Sequence, residues 1–293
     1  MSNLEKNDSS VSKKDQNENE DKKKEDEPSK DKPSSEHQKE PSMLQTATSA
    51  RTSLGESFKS RFEVVPALND GLKDEVYRLR HNVYCEDLHW EPVRPDGREI
   101  DAYDAQSIAL LMRHVGTGEY VGCARLVKPK AQAPAELLPF ERFSQGSLDS
   151  TGFDLASLPR DKVAEVSRLA VIAKYRRRHG EAPRAAPTSG DDFGTVRAPR
   201  FPYILIGLYL GIVAIARLHK IETLFVLTEP RLADHFRRLG VEIRQIGQPV
   251  EHRGMRVPSV MSVNDIIIGL NPYVRPMYEG IVEAVRSAYR GYE

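Results

Sequence analysis

The chain has 293 residues, enough for one large domain or two small ones, and its 43 basic and 43 acidic side chains are unevenly spread. Residues 1–40 hold nine Lys and twelve Asp or Glu against three apolar residues, Met1, Leu4 and Val11, too few to offset the entropy of ordering; we read 1–57 as a disordered, mixed-charge tail. Residues 41–293 then hold 34 basic and 31 acidic side chains, which excludes a polyanion-binding balance and makes nucleic acid an unexpected partner.

Past the tail, residues 58–293 read as one domain. Arg61 to Ala67 alternates as a strand, and Gly71 to Glu86 places Leu72, Val76, Leu79, Val83 and Tyr84 at helical spacing. A polar segment follows to Asp104. Ser107 to Arg113 and Tyr120 to Val127 form a predicted antiparallel hairpin across Gly116 and Gly118. Ala131 to Asp161 is irregular, with a short helix expected near Leu137 to Phe143, and Val163 to Ala173 is the next strand. After a loop over Glu181 to Arg200, Pro202 opens an apolar helix that runs to about His219. Strand Ile221 to Leu227, helix Pro230 to Leu239 stopped by Gly240, strands Val241 to Ile246 and Val257 to Val263, and a helix within Pro272 to Tyr289 complete the order. This sequence of elements predicts an α+β fold with a largely antiparallel sheet.

The longest uncharged apolar stretch, Phe201 to Ala216, is 16 residues, short of the roughly 20 that span a bilayer. It reads as a buried helix, with peripheral contact to lipid left open. No secretory leader is expected, the two cysteines fit a reducing compartment, and the chain reads as cytoplasmic. No HExxH or Cys/His cluster suggests a metal.

The charges inside predicted strands carry more information. Arg125 sits in the middle of VGCARLV, and an unpaired guanidinium facing a core costs several kcal/mol, so it needs carboxylate partners. Glu165 and Arg168, in EVSRLAV, make the same demand one strand further on. Glu99, Asp101 and Asp104, in REIDAYD, are the acids to hand. One network of these groups is expected, either a functional cluster or a structural one.

Four motifs, RHNVYCEDLHWEP (Arg80, Tyr84, Trp90), EIDAYD (Glu99, Asp101, Asp104), GCARL (Gly122, Arg125) and EVSRLAV (Glu165, Arg168), resemble in order and spacing the signature of the acyl-homoserine lactone, or autoinducer, synthases. Tyr84 departs from that family's usual Phe. The C-terminal segments YILIGLYLGIVAIA, LTEPRLADHFRRLGVEIRQIG and EHRGMRVPS resemble the PEP-CTERM/exosortase system-associated acyltransferases, a branch similar to the N-acyl amino acid synthases. The resemblance covers residues 60–270 and implies the fold of the Gcn5-related N-acetyltransferases (GNAT), with helices on both faces of a sheet that splays into a V.

In that fold the acyl thioester lies in the V, and a strand N–H stabilises the oxyanion. The resemblance places Val171 on that strand, and Arg177, Arg178 and Gly180 in the superfamily's Arg-x-x-Gly-x-Ala turn, which holds the donor's pyrophosphate. Arg176, Arg177, Arg178 and Arg184 read either as a dock for an acidic acyl carrier protein or as a solvated basic turn. Glu99 or Glu165 is the expected proton acceptor, with Asp101 and Asp104 drawing in a cationic acceptor and Arg125 and Arg168 holding the acids or binding an acceptor carboxylate. Arg80 anchors the cluster; Tyr84 and Trp90 either wall the acceptor pocket or only pack. The resemblance thus implies an N-acyltransferase moving a long-chain acyl group from an acyl carrier protein or CoA thioester to the amine of an amino acid or similar small acceptor, by direct attack and without a resident cofactor. Two alternatives stand beside it: a homoserine lactone synthase using S-adenosylmethionine, and a non-catalytic acyl-thioester-binding protein.

Overall fold

The computed structural model describes residues 54–148, 153–176, 194–195, 198–199 and 202–292. The predicted tail therefore lies almost entirely outside the described residues, which begin with a helical turn over 54–59.

Strand β1 (Phe62–Pro66) leads into helix α1 (Asp70–Arg80), whose first turn is closed by Asn69 accepting the Leu72 N–H at 2.9 Å. The helix does not stop at Arg80. It continues as a π-helix over His81–Asp87, which the apolar spacing had shown only as more α-helix. β2 (Ser107–His114) and β3 (Tyr120–Val127) form the expected hairpin, and α2 (Pro139–Phe143) is the short helix of the irregular region. β4 (Val163–Val171) ends in a single turn, α3 (Ala173–Arg176). The predicted long loop lies outside the described residues except for a two-stranded ribbon, β5 (Gly194–Thr195) with β6 (Ala198–Pro199).

The apolar stretch forms α4 (Tyr203–Leu218), buried from Ile204 to Ala216. It packs against β1 to β4 on one side and the terminal helix on the other, so its apolar surface belongs to the core and gives no reason to invoke lipid. No helix among the described residues is long and apolar enough to cross a membrane. β7 (Thr223–Thr228), α5 (Pro230–Arg238), the short strands β8 (Arg244–Gln245) and β9 (Val250–Glu251), β10 (Met255–Ser262), α6 (Val263–Gly269) and α7 (Arg275–Arg290) follow. Of the predicted strand 241–246 only Arg244 and Gln245 pair, and α6 was not foreseen.

One sheet runs β1-β2-β3-β4-β7-β10-β8, with β9 also on β10; every pair is antiparallel except β4 with β7. Alternate side chains of β2 serve the two faces. Leu110 and Met112 pack with α4, and Leu111 packs with Val76, Leu79 and Val83 from the first helix and its π continuation. The fold is thus α+β, mostly antiparallel, with helices on both faces.

The parallel pair is short. β4 and β7 are in register only from Val163↔Thr223 to Val166↔Val226, after which β4 continues along β3 to Val171 and β7 along β10 to Thr228. The two strands part at Ser167, leaving that edge of β4 without a strand partner and opening the V.

Gly240 follows α5 with φ 83°, and a Cβ there would lie 2.0 Å from the Gly269 carbonyl oxygen. Gly240→Ala is therefore expected to cost at least about 2 kcal/mol, because backbone meets backbone and a left-handed turn is strained as well; urea unfolding measures it.

Candidate functional site

Three segments, together with Arg80 from α1, build the charged cluster beside the V. The first is loop 99–104, folded on its own carboxylates: Asp104 accepts the Asp101 N–H at 2.8 Å and Asp101 accepts the Tyr103 N–H at 2.9 Å. The second is β3, which delivers Arg125. The third is β4, where Cys123↔Ala170 and Arg125↔Ser167 are in register, so Arg168 and Leu169 together oppose Ala124. Arg168 has φ 53° at this bulge. The extra residue turns Arg168 to the same face as Ser167 and Arg125, where strict alternation would have sent it to the other.

Three guanidiniums and three carboxylates interlock there. Arg80 pairs with Glu99, and with Asp104 at 2.6 and 3.1 Å. Arg125 reaches Asp101 at 2.6 Å, Asp104 at 2.8 Å and Ser167 Oγ at 3.2 Å. Arg168 reaches Asp101 at 2.8 Å and Glu99 at 3.2 Å. Burial pushes all three acids up, but the arginines outweigh it: Glu99 and Asp104 are held below the usual range and Asp101 falls to about 2. The three charges of each sign balance, Arg168 also reaches Glu91 at 3.7 Å, and Glu99 is a poor proton acceptor.

Glu165 behaves differently. It is 3% exposed, flanked in register by Val127 and Phe225, and accepts only the Phe140 N–H, at 2.7 Å. Burial pushes its carboxyl up to about 8, and that N–H and the more distant charges of Arg125 and Arg168 do not reverse the shift. Of the two glutamates named from sequence, this one has a pKa suited to taking a proton near neutral pH.

Glu165, Ser167 and Arg168 open into a cleft of about 150 Å³ between β4 and β7. Tyr84 and Trp90 wall it, stacked with centroids 6.0 Å apart. The Tyr84 hydroxyl, absent from a Phe, donates to the Leu169 carbonyl at 3.0 Å and pins the strand beside the bulge. The apolar part of the lining includes Ala124, Leu169, Ile212 and Leu232, with Tyr209 stacked on Phe236 at 4.2 Å. Arg80, Glu99, Asp101, Asp104 and Arg125 are not in the lining, so the structure gathers all six network residues but brings only Arg168 to the cleft.

Val171 is fully buried in the core, paired with Gly122, and does not line the cleft. Arg177, Arg178, Gly180 and Arg184 lie outside the described residues. Arg176 is a correction: it is 5% exposed and paired with Asp87, because the turn of α3 folds it inward, so it is no solvated docking residue.

Sequence reading missed the far wall. His252, Arg253 and Arg256, from the turn between β9 and β10 and the strand after it, line the cleft, as do Glu229 and Thr228, whose buried Oγ1 has no hydrogen-bond partner among the described residues. The clue was EHRGMRVPS, noticed only as a likeness.

Residues 79–183 match the family described as acetyltransferase (GNAT) domain. That stretch resembles a GNAT domain and spans β2 to β4. Two sequence relatives are autoinducer synthases. The isovaleryl-homoserine lactone synthase of Bradyrhizobium diazoefficiens is 34% identical over 80 residues, 26% of this chain and 36% of that protein. The acyl-homoserine-lactone synthase of Rhizobium radiobacter is 25% identical over 177 residues, 60% of this chain and 71% of that protein. The match to the first relative thus spans little more than a third of its length. Among solved structures, the AHL synthase LasI is similar in fold, with a TM-score of 0.51 and 18% identity over 72% of this chain and 95% of that one. The GNAT match contains Arg80, all three acids of the loop, Arg125, Glu165 and Arg168, and so contains the whole network.

Proposed function

We propose that this GNAT-domain protein is an N-acyltransferase that moves an acyl group from a carrier-protein or CoA thioester to the amine of an amino acid or similar small acceptor. The observation that carries the proposal is Glu165: a carboxyl with a pKa of about 8 in a cleft opened by parting strands, beside an edge of β4 free of a strand partner. The thioester carbonyl lies against that edge, whose N–H groups receive the developing oxyanion. Glu165, in its ionised fraction, takes the proton as the acceptor nitrogen attacks; the C–S bond breaks, and the departing thiolate takes that proton back to leave as thiol. Arg168 positions the acceptor, while Arg80, Arg125, Glu99, Asp101 and Asp104 hold Arg168 and the loop in place. The acyl chain runs along Leu169, Ile212 and Leu232 toward the stacked Tyr209 and Phe236, a path that suits a fatty chain better than acetyl. The PEP-CTERM/exosortase association rests on the C-terminal motifs. Cys85 and Cys123 are free and buried, in keeping with a cytoplasmic protein.

A second reading is a homoserine lactone synthase using S-adenosylmethionine, favoured by the names of both sequence relatives. Incubation with acyl carrier protein and CoA thioesters, mixed amino acids and S-adenosylmethionine, read by mass spectrometry, separates the two. An acyl amide is expected; a lactone supports the second reading, and bound thioester without product supports the non-catalytic one.

A further inference from the structure

The turn between β9 and β10 has a costly geometry. Arg253 sits at φ 55° and Gly254 at φ 95°. Glycine is at ease there, but a long side chain in the left-handed region costs of order 1 kcal/mol or more, and such strain gathers at ligand sites. Several contacts hold the turn against the cleft. The His252 ring packs on Phe143 with centroids 4.0 Å apart, and Arg256 donates to the carbonyls of His252 and Arg253 at 3.3 and 3.2 Å while pairing with Glu229 at 3.0 Å. His252 itself is neutral at pH 7, since burial and then the nearby arginines push it down to about 4.

The arginines of the site are not equally engaged. Arg125 is occupied by Asp101, Asp104 and Ser167, and Arg168 by Glu99 and Asp101. Arg253 has one carboxylate partner, Glu91, and Glu91 is shared with Arg168. Its side chain is 24% exposed, and its other N–H groups have no protein partner among the described residues. Of the three arginines lining the cleft, Arg168 is held by Glu99 and Asp101 and Arg256 by Glu229, which leaves Arg253 with the shared Glu91. The spare N–H groups of Arg253 can take an anion, and a guanidinium fork matches a carboxylate in charge and in shape.

We propose that Arg253, braced by Arg256, binds a carboxylate of the acceptor, so that the substrate is an amine bearing an acid group and not a plain amine. This rests on the acyl-transfer reading above and moves carboxylate recognition from Arg125, which the network has consumed, to the far wall of the cleft.

Trp90 is the single tryptophan of the chain and lines the cleft, so its emission reports occupancy. Titration with N-octanoylglycine and with its neutral counterpart N-octanoylglycinamide is expected to show the acid binding about tenfold or more tighter. Arg253→Asn, which suits the left-handed turn, is expected to bring the two affinities within about twofold of each other, and Arg253→Lys to restore part of the difference. Equal affinity for both compounds in the unsubstituted protein, or an unchanged ratio in Arg253→Asn, overturns the proposal. Binding of neither overturns the acyl-transfer reading together with it.

Discussion

Glu165→Gln is expected to lower acyl-transfer turnover tenfold or more, yet to make the protein more stable than the original above pH 8. The first effect follows from loss of the proton acceptor, a role worth about 10² to 10⁴ in rate. The second follows from linkage. Burial raises the folded pKa of Glu165 from the usual 4.5 to about 8, so the folded chain holds a proton that the unfolded chain releases. That contribution is fully present below about pH 4.5, declines as pH rises and is lost as pH passes through 8. Glutamine keeps an acceptor oxygen for the Phe140 N–H, stays neutral at every pH and removes the decline. Urea midpoints at pH 5.5, 7 and 8.5, with product formation by mass spectrometry, test both halves. Undiminished turnover would remove Glu165 from the mechanism.

Arg125→Ala is expected to cost about 3 to 5 kcal/mol of folding free energy. Arg125 is 1% exposed and neutralises Asp101 and Asp104 together. Its removal leaves Asp104, whose side chain is 6% exposed, and the more open Asp101, at 23%, each short of one guanidinium. Sequence reading left open whether Arg125 holds the acids or binds an acceptor carboxylate; its burial and three partners favour the first. Lysine would keep the charge but could not bridge Asp101, Asp104 and Ser167 at once, so an intermediate loss is expected. The network also sets an acid limit. Asp101, held at about 2 against its usual 3.8, contributes stability above pH 3.8 that is lost as pH falls through 2. A loss below about 1 kcal/mol for Arg125→Ala would contradict this account.

The expected network was legible because a charge inside an apolar strand has few ways to be satisfied. Arg125 in VGCARLV demanded acids, and REIDAYD supplied them. The bulge was hidden: alternation along EVSRLAV puts Arg168 on the opposite face from Ser167, and only a left-handed residue in β4 reverses that. The π-helix was hidden for a similar reason, since 81–87 has apolar spacing close to that of an ordinary helix. The choice between Glu99 and Glu165 depended on partners from distant segments, two arginines for one and a lone backbone N–H for the other. The far wall escaped because arginines in a short hairpin read as solvated turn until the fold brings Glu91, Trp90 and Phe143 to meet them.

The central claim, that buried Glu165 at the parting of β4 and β7 is, once ionised, the proton acceptor, is tested most directly by the pH dependence of kcat/KM, which reports ionisations of the free enzyme. The account predicts a rise with an apparent pKa near 8 that disappears in Glu165→Gln. A profile flat through that range, or one that keeps the same rise after the substitution, would contradict it.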